Sequence, residues 1–405
     1  MDKSMPSRMR QTMWAAVLGA ASLLMAGCAT SPASLPAPSD IPLLDQRFGG
    51  TPPPALLPSA HRVTDSSEAM RAYLRDRIQP QARLKDPRRG LLEALYTQGE
   101  LKLEYDSDLT RTADEAFDAR SGNCLSLALM TAAFARDMGL PVQFRMVFNE
   151  AQWSRSGDLE IYAGHINLAL GRKPGEMRVL GDDAAWLVVD FLPGEDLRKQ
   201  RVMELDERTV IAMYYNNRAA ELLSRGELRQ AYWWARAAVN QDPRFMAGLN
   251  TLGVVYRRAG EQATAEHVFR QVLAREPGNV QALSNLIGAL RVAGRQAEAD
   301  GLGERLAQLQ PYPPFRFYDL GLEAMRAGDY AKARELFQRE ISRTSGYHDF
   351  YFWLALSYYG SGDLRGAREA MRQAEASSTS SSQRQLYAAK LAHLQAQIAS
   401  QRRQQ

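Results

Sequence analysis

With 405 residues, 45% of them hydrophobic and 24% charged, the chain has material for two or three folded units and the balance of a globular protein. Its net charge is +4, of which Asp2, Lys3, Arg8 and Arg10 supply +2. So small a surplus gives no electrostatic footing for nucleic acid, and no such partner is expected.

Residues 1–27 open with charges, carry an apolar core from Met13 to Met25, and end in small residues before Cys28. The core is too short to span a bilayer and reads as a secretory signal. Its ending, Met25-Ala26-Gly27-Cys28, resembles the lipobox of bacterial lipoproteins, with Met25 where leucine is usual. The resemblance implies that Cys28 becomes the lipidated N-terminus and membrane anchor. Ala29 in place of aspartate implies the outer membrane of a Gram-negative envelope, facing the periplasm. Residues 28–60 hold eight of the nineteen prolines and no apolar periodicity, the pattern of a tether.

Residues 61–205 read as an α+β unit. Thr112 and Glu115 form a capping box for a short helix, Gly122 stops it, and Asn123 caps the next. That second helix, Cys124 to about Met138, is apolar around its whole circumference and so should be buried. Strands are expected at Val142–Phe148, Ile161–Leu170 and Trp186–Phe191, the last apolar on both faces and therefore central.

Only two cysteines are present, so lipid on Cys28 leaves Cys124 without an intrachain disulfide partner. A lone thiol in an oxidising compartment is either a small buried hydrophobe or chemistry. At a helix N-terminus it is placed to act as a thiolate, given a base and a carboxylate to orient that base. Of the five histidines (His61, His165, His267, His348 and His393), His61 lies at the edge of the tether and the last three in the repeats or the cap, so only His165 lies inside the unit that holds Cys124. Asp190, ending an apolar strand, needs a donor that His165 would supply. Asp182 and Asp183 are rivals in a turn, and Gln152 or Trp153 could serve as a second oxyanion donor. One cysteine and one histidine cannot build a zinc site, so neither metal nor cofactor is expected.

Gly122-Asn123-Cys124 opening a helix, Gly164-His165 on a strand and Val189-Asp190-Phe191 on the next are similar to the transglutaminase-like superfamily, with its papain-type Cys-His-Asp order. Leu103-Glu104-Tyr105-Asp106 and Gly139-Leu140-Pro141 also fit. The likeness covers residues 95–195 and departs from the usual pattern at Ile166-Asn167 and Phe191. It implies a transglutaminase-like fold and acyl transfer through a thioester on Cys124, with His165 as base then acid and Asp190 as orienter. Peptidase or amidase chemistry is the expectation; an amine acceptor would make a crosslinking transglutaminase.

Gly226, Gly260, Gly294, Gly328 and Gly362 recur every 34 residues, each followed five places on by alanine, and the first three seventeen places on by Pro243, Pro277 and Pro311. This matches the tetratricopeptide repeat, and five repeats are expected over residues 208–381, with a capping helix and tail over 382–405. The first helix of each pair should line the concave face. Asn250, Arg257, Arg258, Arg291, Phe315, Tyr318, Arg326, Phe352 and Tyr359 are the candidates there for binding a protein or peptide. Alternatively, the aromatics dock the array onto the α+β unit or the cap. The chain could then be a non-catalytic envelope scaffold acting through its repeats.

Overall fold

A computed structural model describes residues 41–404 apart from 54, 83–85, 98–100, 102, 108, 149–152, 157–158, 163, 174–184, 192–200 and 345. The signal, Cys28, the first part of the tether, Gln152, Asp182 and Asp183 lie outside the described residues.

The α+β unit begins with α1 (Ala60–Thr64), α2 (Glu68–Tyr73) and α3 (Pro87–Leu92), then β1 (Glu104–Tyr105), α4 (Ala113–Ala119), β2 (Ser121–Gly122) and α5 (Cys124–Asp137). The capping box of Thr112 and Glu115 starts α4, and Arg120, with φ of 54°, ends it. The Asn123 side chain accepts from the Ser126 N–H at 2.9 Å and so fixes where α5 begins. Every residue of α5 from Leu125 to Ala135 is buried, as expected of a helix without a polar face.

Six further strands follow: β3 (Val142–Phe148), β4 (Trp153–Ser156), β5 (Leu159–Tyr162), β6 (His165–Gly171), β7 (Trp186–Val189) and β8 (Arg201–Leu205). Four make an antiparallel sheet in the order β7-β6-β3-β8, against which α5 packs, while β4 and β5 form a separate hairpin. The single strand expected over 161–170 is therefore two, parted at Gly164, where a Cβ would come within 2.8 Å of Met146 Sδ. The expectation that the 186–191 run is central is corrected: among the described residues β7 is an edge strand, with Trp186 41% exposed. The interior places belong to β3 and to β6, all seven of whose residues are buried. Short apolar runs do not reveal by themselves which strand lies inside.

The remainder is helical: α6 (Glu207–Ser224), α7 (Leu228–Gln241), α8 (Met246–Arg258), α9 (Gln262–Arg275), α10 (Val280–Val292), α11 (Gln296–Leu309), α12 (Arg316–Arg326), α13 (Tyr330–Arg343), α14 (His348–Gly360), α15 (Leu364–Ser377) and α16 (Ser381–Gln404). Gly226, Gly260, Gly294, Gly328 and Gly362 join the two helices of successive pairs at φ between 74° and 84°, a region costly for other residues. Ala231, Ala265, Ala299, Ala333 and Ala367 are fully buried where the helices cross. Gly253 and Gly321 admit the rings of Phe269 and Phe337, each of which a Cβ would meet at 2.5 Å. Among the described residues no helix is long and apolar enough to cross a membrane.

One expectation needs a larger correction. The tether was bounded at residue 60, yet residues 42–58 are fastened to the first two helix pairs, and Pro42–Gln405 is one compact unit. Phe48 is buried and stacked on Tyr232 at 4.0 Å, and its carbonyl accepts from Trp233 Nε1 and Arg229 Nε, both at 3.2 Å. Asp45 binds Arg236 at 2.9 Å, while Tyr256 and Tyr215 donate to the carbonyls of Pro42 and Pro58 at 2.7 and 2.8 Å. Prolines leave these carbonyls free to accept, because proline has no N–H to form a ladder of its own.

Candidate active site

Cys124 is the first residue of α5 and is half-buried. Asn123 is held behind it by donating from Nδ2 to Thr110 Oγ1 at 2.7 Å. His165 opens β6 and is 4% exposed. Its Nε2 lies 2.7 Å from Asp190 Oδ1. The second oxygen of that carboxylate accepts from Asn167 Nδ2 at 3.3 Å, and Asn167 Oδ1 in turn accepts from Arg145 Nε at 3.0 Å. His165 and Asn167 are two apart on one strand and so share a face. Asn167 and Arg145 were not among the expected site residues, although that parity was readable.

With Nε2 engaged by Asp190, Nδ1 is the nitrogen left for the thiol. It is buried and has no formed hydrogen bond among the described residues, yet Cys124 is near enough to influence the ring. Such bonds are often loose before substrate arrives. Burial alone lowers the His165 pKa, but the Asp190 hydrogen bond and the neighbouring thiol outweigh it and push the value up to about 9. The imidazolium that results at neutral pH is the cation that favours a thiolate beside it.

Tyr105, also unforeseen as a functional residue, comes from the short parallel pairing of β1 with β2, which sets it opposite Gly122. Its hydroxyl lies near enough to Cys124 to feel the thiol, and burial followed by that thiol drives its pKa well upward. The Cys124 N–H therefore has the phenol as a neighbour. Trp153 opens β4, the only part of its placement that is described.

A cavity of about 2020 Å³ joins Cys124, Tyr105 and Gly164 to Asn250, Arg257 and Ser284 on the repeats. Two sets of contacts bound it, and between them it stays partly open to solvent. At the near end Arg136 of α5 pairs with Glu207 of α6 at 2.9 Å, and Glu221 accepts from the Thr110 N–H and from Arg218, each at 2.7 Å. At the far end the Ser107 N–H donates to the Thr379 carbonyl at 2.9 Å, and their hydroxyls meet at 2.9 Å. There Arg155 of β4 also pairs with Asp319, lies 4.5 Å over the Phe315 ring, and donates from its backbone N–H to Tyr347 Oη at 3.2 Å.

The concave-face candidates divide accordingly. Asn250 and Arg257 line the cavity. Arg291 and Arg326 are exposed, as is Tyr359 at 45%. Arg258 donates to the Leu223 carbonyl at 2.8 Å. Phe315 and Tyr318, 1% and 6% exposed, are packed into the core with Phe350 and cannot meet a peptide. Phe352 stacks on Tyr387 of α16 at 5.3 Å, so it serves the cap.

Residues 250–314 and 318–382 match the tetratricopeptide repeat family. The chain is similar to the TPR repeat-containing protein YvcD of Bacillus subtilis, 24% identical over 184 residues, 45% of this chain and 37% of that protein. It is 39% identical over 83 residues to cellulose synthase operon protein C of Xanthomonas axonopodis pv. citri, covering 20% of this chain and 5% of the other. The chain thus spans little more than a third of the first relative and a small part of the second. Among solved structures, pilF of Pseudomonas aeruginosa shares 24% identity over 47% of this chain and 86% of its own, with a TM-score of 0.28. The MamA protein shares 22% over 43% and 93%, with a TM-score of 0.24. The helix pairs, their 34-residue glycine turns and the family match agree: this chain carries tetratricopeptide repeats, modules that bind protein partners.

Proposed function

We propose that the chain takes a polypeptide segment into the cavity between its repeats and Cys124 and transfers an acyl group from it through a thioester. The observation behind this reading is the shared cavity: the thiol, beside a histidine bonded to a buried aspartate, opens into the space the repeats enclose. In this mechanism the Cys124 sulfur attacks a carbonyl carbon while His165 holds the thiol proton. The C–N bond breaks as His165 returns that proton to the leaving amine. Water, deprotonated by the same ring, then cleaves the thioester, as in a peptidase or amidase. Asp190 and Asn167 keep the ring oriented, and the Cys124 N–H beside the Tyr105 hydroxyl stands where an oxyanion would form. In the same reading Cys28 carries the lipid and holds the protein at the periplasmic face of an outer membrane.

The second reading is a non-catalytic scaffold. It is favoured by the comparisons, in which the family match falls on the repeats. Alkylation separates the two. Iodoacetamide labelling of Cys124 followed between about pH 5 and 9 should be slowed by about tenfold or more in His165→Ala. Labelling indifferent to His165 would remove the catalytic reading and leave the scaffold.

A further inference from the structure

The concave lining repeats its chemistry as well as its helices. On α6, α8 and α10, one register at 34-residue spacing holds Asn216, Asn250 and Ser284, and the adjacent register holds Asn217, Thr251 and Asn285. All six line the cavity that reaches Cys124. Asn285 Nδ2 donates to Asn250 Oδ1 at 3.1 Å, tying neighbouring rungs together and leaving the Asn250 amide hydrogens and the Asn285 carbonyl for another partner. Asn216 Oδ1 is buried and has no hydrogen-bond partner among the described residues, a costly state for a strong acceptor. The fourth pair breaks the series, because the same registers hold Tyr318 and Asp319, committed to the core and to Arg155.

A primary amide offers two donors and an acceptor, the complement of the N–H and C=O that a polypeptide main chain presents at every residue. Packed helices lie about 8–10 Å apart, and an extended chain advances about 3.3 Å per residue, so each rung would meet about every third residue. We infer that this amide ladder on the first three repeats binds an extended polypeptide through its main chain, with little regard for side-chain sequence, and leads it toward Cys124. The inference rests on the reading that a polypeptide enters the cavity, and it names how that polypeptide is recognised.

The test uses the full chain carrying Cys124→Ser, so that binding is measured without chemistry. The probe is fluorescein-labelled lactalbumin, permanently unfolded by reduction and carboxamidomethylation, followed by anisotropy. Replacing Asn216, Asn250 and Asn285 together by Ala should weaken binding by about tenfold or more, from the loss of several neutral hydrogen bonds. Replacing them by Ser, which position 284 already carries, should recover part of the affinity and guards against misfolding of the Ala variant. A lactalbumin peptide of about nine residues, enough for three rungs, should bind as well when scrambled and worse when alternate backbone amides are N-methylated. Unchanged binding in both variants would overturn the inference. So would loss on scrambling without loss on methylation, or failure of the unfolded probe to bind at all. Thiol labelling is independent of the ladder, so a failed ladder with a His165-dependent thiol leaves the proposed function standing.

Discussion

Asp190 sets the chemistry at the scale of single residues. Its side chain is 5% exposed, and a carboxylate so enclosed must be met by donors on both oxygens, here His165 and Asn167. The consequence is readable in stability. Burial works against a charged His165, but Asp190 and the thiol raise its pKa from 6.5 to about 9. A folded-state value above the unfolded one means that the proton stabilises the fold fully below about pH 6.5, and that this contribution is lost as pH rises through about 9. At about 1.4 kcal/mol per unit the effect reaches as much as about 3 kcal/mol. Urea unfolding on either side of that window should show the native chain weakening as pH rises and His165→Gln changing much less. Parallel pH profiles for the two proteins would mean that the ring carries no stabilising charge.

The element that most changes the picture is the docked segment before α1. Phe48 lies 4% exposed between its own backbone bonds and the Tyr232 ring, and burying such a side chain contributes about 1.5–3 kcal/mol. Phe48→Ala should release residues 42–58 as a unit, because the segment can leave without unfolding the helices beneath it. Limited proteolysis should then cut within it many times faster, with the repeats intact; unchanged cleavage would show that the other bonds suffice. Nothing in the sequence announces this docking. A segment laid on an existing surface needs no periodicity of its own, so prolines and missing pattern read as free chain. The repeats were legible because each turn demands a left-handed glycine and each crossing a small residue, and both demands recur every 34 residues. Cys124 and its cap were legible from Asn123 for the same local reason. Tyr105 was not, since it reaches the thiol through a two-residue parallel bridge to Gly122 that no pattern encodes. The first repeat has Arg218-Ala219 where the second has Leu252-Gly253, and there Arg218 pairs with Glu221, which holds the Thr110 N–H.

Across residues 42–404 the array bends back so that its end touches the unit from which it starts, and those contacts bound the cavity over Cys124. Thr379 stands seventeen residues after Gly362, where the first three repeats place proline, and it grips Ser107, two residues from Tyr105. Phe315 holds a left-handed φ of 62°, unfavourable for a bulky residue, under the guanidinium of Arg155. The Arg155–Asp319 pair is partly exposed, with Asp319 at 48%, so its ionic part contributes no more than about 1 kcal/mol. Removing it alone should do little; reversing it should do more, because Arg155→Glu sets like charges together and also strips the cation from the Phe315 face. This end of the cavity should then widen transiently without unfolding, which a size-graded label detects. Cys124 modification by a bulky polyethylene-glycol maleimide should accelerate in Arg155→Glu far more than modification by iodoacetamide, and Arg155→Glu with Asp319→Arg should restore the native ratio. A ratio unmoved by the reversal would mean that the cavity is entered elsewhere, past the near-end joint of Arg136 and Glu207.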